Sequence, residues 1–153
     1  MTNTERVSSS KLKSFKLTAQ DTCLQPIGAR VQDFHQLNVW KKDHSLVLRV
    51  YKMSNDLPAS ENFGLILNLR RSSVLIARSI AEGAGRDSDF EFAAELKKAR
   101  AAGHDLEYCL LLCRDLGFLP DSIHQELNAE VLEVRKMISG LVKRMTSSPE
   151  PIR

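Results

Sequence analysis

The sequence predicts an all-α protein, an up-down-up-down antiparallel four-helix bundle. Three observations carry this. Four segments repeat apolar residues at three- and four-residue steps. The five prolines all fall between or outside those segments. No stretch alternates apolar and polar residues as a half-buried strand would. Short connections between such segments make them antiparallel neighbours.

The first helix is expected from about Phe34 to Leu57. Leu37, Trp40, His44, Val47, Tyr51 and Ser54 form one stripe, and Val39, Leu46, Val50, Met53 and Leu57 form a second beside it. Two stripes make a buried face broader than a coiled-coil seam requires. Pro58 ends the helix, because the residue before proline avoids the helical region. The second helix is expected from about Ser60 to Glu82, on a stripe of Leu65, Leu69, Ser72, Ile76 and Ile80 widened by Leu67, Val74 and Ala81. Gly83 and Gly85 are expected to supply the positive φ that ends it. Asp87 or Ser88 then caps the third helix, and Glu91 completes a capping box with Ser88.

The third helix, about Asp89 to Leu116, carries the cleanest heptad seam: Phe92, Leu96, Ala99, Gly103, Leu106, Leu110 and Cys113. Gly103 costs helix propensity, so a close-packed neighbour is expected there. Gly117 closes that helix, and Pro120 with a Ser122–Gln125 capping box opens the fourth. The fourth runs to about Met145 on Ile123, Leu127, Val131, Val134, Ile138, Leu141 and Met145. The organisation expected is a disordered basic extension over 1–32, the bundle over 33–146 and a disordered tail over 147–153. The extension is rich in Ser, Thr and Lys with little periodicity. An organellar transit peptide and a true start further downstream are the other readings of it.

Charge is placed unevenly. Residues 1–30 hold five basic and two acidic side chains, whereas the remainder holds 17 of each. A neutral domain engages nucleic acid only through a local patch. Three cysteines with no framework spacing point to a reducing, cytoplasmic setting. No segment approaches the roughly 20 apolar residues of a membrane span.

Residues capable of chemistry do not assemble into a recognisable centre. Cys109 and Cys113 stand one turn apart without a following histidine, and are read as buried structural thiols. His44 is read as a core or interface histidine. No Glu-x-x-His pair, nucleophilic triad or phosphate loop is present. No cofactor, metal or catalytic residue is therefore expected, and the protein is read as a non-enzyme. Glu82 opposes the helix dipole at a C-terminus, so a pairing with Arg78 or Arg86 is expected to lock the turn of Glu82, Gly83 and Gly85. The sharper reading of that cluster is a partner contact. Lys42, Arg49 and Lys52 gather on helix one, Arg71 and Arg78 on helix two, and Lys97, Arg100 and His104 on helix three.

Val39-Trp40, Val50-Tyr51, Pro58, Glu61, Gly64-Leu65, Arg70-Arg71, Ile80-Ala81-Glu82-Gly83, Gly85-Arg86, Leu96, Ala99 and Asp105-Leu106 occur in an ordered series. In this the chain resembles the bacterial four-helix bundle family of 23S rRNA intervening-sequence proteins, over about residues 34 to 145. Arg78 and Ser79 stand where that family has proline and asparagine, so a kink in helix two is not expected to carry over. The family's "GS" in helix three is Ala101-Ala102 here, and its glutamate is Asp105. The resemblance implies a homo-oligomeric ring, commonly a pentamer, and an association with structured RNA. Arg71, Arg78, Arg86, Lys97 and Arg100 are the candidate RNA or partner contacts. A protein–protein adaptor without nucleic acid is the alternative function.

Overall fold

A computed structural model describes residues 32–147. The expected extension and tail lie outside the described residues, apart from their bordering positions 32 and 147. Four helices follow in order: α1 Asn38–Ser54, α2 Leu65–Ala84, α3 Asp89–Asp115 and α4 Asp121–Thr146. Short 3-10 turns, Phe34–Gln36 and Ala59–Glu61, precede α1 and α2. Each helix packs on its two neighbours in a square: α1 on α2 and α4, and α3 on the same two. Ion pairs fix the direction of α1 against α4. Lys42 reaches Glu133 and Arg49 reaches Glu126, so the numbering of one rises as the other falls.

The core follows the predicted stripes closely on three helices. Every member of the α3 seam from Phe92 to Cys113 is buried, as are Leu65, Leu69, Ser72, Ile76 and Ile80 of α2. On α4, Leu127, Val131, Val134, Ile138 and Met145 are buried, and Ile123 and Leu141 are half-buried. Leu69, Leu96, Leu106 and Leu110 are fully enclosed, each contributing about 1.5–3 kcal/mol by leaving water. Helix α1 differs. Its second stripe, Val39, Leu46 and Val50, forms the core side, while His44 and Tyr51 of the first stripe are exposed. Leu67 and Val74, expected to widen the core face of α2, are exposed too. Their angular position on each helix, not their hydrophobicity, decides this.

The helix ends depart from the sequence reading in instructive ways. Helix α2 starts at Leu65 because Pro58 begins a 3-10 turn instead, and the Glu61 carboxylate accepts from the Leu65 N–H at 3.1 Å. It then runs as one helix through Gly83 to Ala84. Neither Gly83 nor Gly85 has positive φ: among the described residues only Gly117 does, at 77°. There the Phe118 N–H reaches the Cys113 carbonyl and the Gly117 N–H reaches the Arg114 carbonyl, both at 2.9 Å. This pair of bonds is the Schellman closure. Ser88 caps α3 as expected, accepting from the Glu91 N–H at 3.2 Å. Ser122 does not cap α4: the helix already begins at Asp121, with Pro120 in the cap position and no side-chain cap.

Gly83 serves packing rather than turning. A Cβ placed on it would lie 2.5 Å from Cδ2 of the buried Phe92 ring. Gly103 has a similar role against α4, where a Cβ would meet Cγ of Arg135 at 2.8 Å. A methyl group at position 83 must displace an enclosed ring, whereas at 103 it must displace a half-buried arginine stem. Gly83→Ala is therefore expected to cost about 1–3 kcal/mol, despite alanine's better helix propensity. Chemical denaturation checks this, and a variant as stable as the parent would contradict the close approach.

Asp43 is fully buried on the core side of α1, and neither carboxylate oxygen has a hydrogen-bond partner. Burial pushes its pKa up from 3.8 to about 8. The folded state thus holds a proton that the unfolded chain releases above about pH 4. Asp43 therefore lowers stability as pH rises from about 4 to 8, by up to roughly 1.4 kcal/mol per pH unit. Asp43→Asn is expected to remove this slope and to be the more stable form at pH 8. Melting curves of both proteins from pH 5.5 to 8.5 check it, and parallel profiles would contradict it.

Candidate nucleic-acid interface

Basic side chains dominate the α1–α2 half of the bundle. The two helices carry Lys41, Lys42, Arg49, Lys52, Arg70, Arg71 and Arg78 against only Asp43 and Glu82. Asp43 is buried. Helices α3 and α4 together hold ten acids against eight bases, the excess lying on α3. The overall neutrality of the domain conceals this segregation.

Helical phase decides which of these cations are free. Lys42 and Arg49, seven residues apart, lean toward α4. There Lys42 meets Glu133 at 2.8 Å, and Arg49 meets Glu126 at 2.9 Å and also Glu130. Lys52, one turn beyond Arg49, makes no such pair with α4. Arg70 is turned toward α1, where it donates to Ser54 Oγ and Asn55 Oδ1, both at 2.8 Å, and lies over the Tyr51 ring. Arg71 and Arg78 are exposed together on the outer side of α2. Among the described residues Lys41, Lys52 and Arg71 have no carboxylate within ion-pair distance. Leu48 and Tyr51 of α1 and Leu67 and Val74 of α2 are exposed on the same two helices.

The remaining candidates lie elsewhere. Arg86 donates to Glu95 at 2.8 Å across the central turn. Lys97 and Arg100 precede His104 by two turns and one turn respectively, and His104 meets Arg135 of α4 at 2.8 Å. They therefore belong to the α3–α4 side, and the five candidate residues do not form one surface. Lys41, Lys52 and Tyr51 were not singled out as candidates from the sequence. The available signal was the pair of apolar stripes on α1, more than one bundle core can cover.

The central turn resolves the question of Glu82. Its partner is Arg78, whose Nε donates to Glu82 Oε1 at 2.8 Å in an exposed i,i+4 pair. The buried acid is Glu95, with its side chain only 5% exposed. Lys98, then Arg86, hold its carboxyl below the usual carboxylate range. Its stabilisation is thus complete at neutral pH and lost as pH falls through the depressed value. Glu95→Gln is expected to lower the melting temperature by several degrees at pH 7, with the difference shrinking toward pH 3. Arg86→Met combined with it should show strong coupling in a double-mutant cycle, whereas the Arg78–Glu82 pair should couple weakly. Equal coupling of the two pairs would contradict this assignment.

Reactive side chains remain separate or buried. The Cys109 and Cys113 thiols are both free and buried, and burial raises both pKa values, that of Cys113 to about 11. Neutral thiols are poor nucleophiles and poor ligands. Among the described residues no group of three or more His, Cys, Asp or Glu side chains could hold a metal ion. No described helix is long and apolar enough to cross a membrane.

The fold and this surface define a class: a four-helix bundle with a basic, partly apolar face and acids concentrated on the opposite half. Over residues 35–140 the sequence matches the family described as 23S rRNA-intervening sequence protein, and the chain belongs to that family. No curated protein matches it. Among solved structures, a protein of unknown function from the S23 ribosomal protein family of Bacteroides thetaiotaomicron VPI-5482 has the same fold. It matches with a TM-score of 0.65 at 21% identity, covering 69% of this chain and 95% of that one.

Proposed function

We propose that the protein is a non-enzymatic, self-associating bundle of a reducing cytoplasmic compartment that contacts structured RNA through its α1–α2 face. The observation that carries this is the set of unpaired cations Lys41, Lys52 and Arg71 on two helices whose only acids are the buried Asp43 and the paired Glu82. Counterions released from RNA by such a patch supply free energy that a neutral domain otherwise lacks. The family's description in terms of 23S rRNA agrees with RNA as the partner. One patch offers few cations, so a closed homo-oligomer that repeats it gains affinity by multivalency. A pentameric ring is the assembly that the family resemblance suggests. Exposed apolar side chains on α3, away from that face, such as Phe90, 64% exposed, and Tyr108, 63% exposed, give self-association a driving force.

A protein–protein adaptor is the second reading. Phe63, 94% exposed near the α1–α2 connection, favours it, because a lone aromatic so placed suits a protein partner. Sedimentation of the purified protein with and without structured RNA, at low and physiological salt, separates the two. The expected result is an oligomer that binds RNA and loses affinity steeply with salt. Lys52→Glu with Arg71→Glu should weaken binding at least tenfold with helicity unchanged. A strict monomer would overturn the assembly, and an oligomer without RNA affinity at low salt would favour the adaptor.

A further inference from the structure

Two ring stacks stand along the edge of α1 that meets α2. In the first, the His44 imidazole lies on the Trp40 indole, with centroids 5.0 Å apart and planes 8° from parallel. In the second, the Arg70 guanidinium lies over the Tyr51 ring, 5.0 Å from its centroid. The partners His44 and Tyr51 are both exposed, Tyr51 by 41%. Their companions are anchored. Trp40 is half-buried and meets Phe34 edge-on at 4.9 Å, and Arg70 is held by Ser54 and Asn55. Here each stack is fixed on one side and presents a ring to solvent on the other.

The spacing of the two rings is regular. His44 and Tyr51 are seven residues apart, hence on one edge of the helix and about 10.5 Å apart along its axis. That distance is about three steps of a stacked nucleic-acid strand at roughly 3.4 Å each. Three unpaired cations accompany the two stacks: Lys41 stands one turn before His44 on α1, and Lys52 and Arg71 flank the second stack on α1 and α2. Base-stacking rings interleaved with cations are the means by which proteins hold single strands. A duplex could use the cations but not the rings, because its base faces are already covered.

We infer that this edge is a stacking track for single-stranded RNA, where unpaired bases lie on His44 and Tyr51 and Lys41, Lys52 and Arg71 take the phosphates. The inference rests on the proposed RNA-contacting function and narrows it to the unpaired loops of a structured RNA. Because the rings are already held in place, little conformational freedom is lost when a base arrives.

Trp40 is the only tryptophan of the chain, so its emission reports directly on this track. The experiment titrates the full-length protein with a 12-nucleotide single-stranded oligoribonucleotide of mixed sequence, and with the same strand annealed to its complement. The single strand is expected to quench Trp40 and to bind at least tenfold more tightly than the duplex. His44→Ala and Tyr51→Ala should each weaken single-strand binding about tenfold while leaving duplex binding unchanged. Tyr51→Phe, which keeps the ring, should bind within about twofold of the parent. Equal binding of both RNAs, with no effect of the ring substitutions, would overturn the stacking track and leave the electrostatic RNA contact standing. No binding of either RNA at low salt would overturn both.

Discussion

The close approach of α2 and α3 at Gly83 is the constraint on which the rest of the bundle depends. The ring of Phe92 occupies the space that any side chain at position 83 would need. This contact sits beside the central turn, so it fixes both the register and the rotation of the two helices. Arg86 and Lys98, closing on the buried Glu95, hold the same end from the outside. Once α2 is locked by its seam against α3, its opposite side must face α1 and solvent. That rotation puts Arg70 against α1 and leaves Arg71, Val74 and Arg78 outside.

The distribution of acids then determines which cations remain free. Helix α4 offers Glu126, Glu130 and Glu133 to the flank of α1 that it touches, and these occupy Arg49 and Lys42. The other flank of α1 meets α2, whose only acid, Glu82, is taken by Arg78. Lys41, Lys52 and Arg71 are left without partners by geometry, in a domain whose total charge gives no hint of it. Interactions that build the bundle thus also sort its surface.

Much of the fold was legible because its signals are local and periodic. The unbroken seam from Phe92 to Cys113 defined α3, and the Ser88 cap and the Gly117 closure fixed its two ends within a residue. Gly83 was misread because glycine serves two purposes, turning and close approach, and only the facing Phe92 distinguishes them. His44, Tyr51, Leu67 and Val74 were misplaced for a related reason. Apolar spacing identifies a helix face, but which of two adjacent stripes turns inward depends on neighbours far away in sequence. Asp43 falls at the heptad position between Val39 and Leu46, so spacing marked its burial and only its charge disguised it. The candidate site was legible only in part. Arg71 stood out with its neighbour Arg70, but the separation of free from paired cations depends on contacts between helices.

The central claim is that RNA meets the protein on the α1–α2 face and not on α3–α4. Backbone amide chemical-shift mapping of the isotope-labelled protein during titration with single-stranded RNA tests it most directly. The account predicts perturbations clustered at Lys41, His44, Lys52 and Arg71, together with the Trp40 indole. Perturbations centred on Lys97, Arg100 and Arg135 with α1 undisturbed would contradict it.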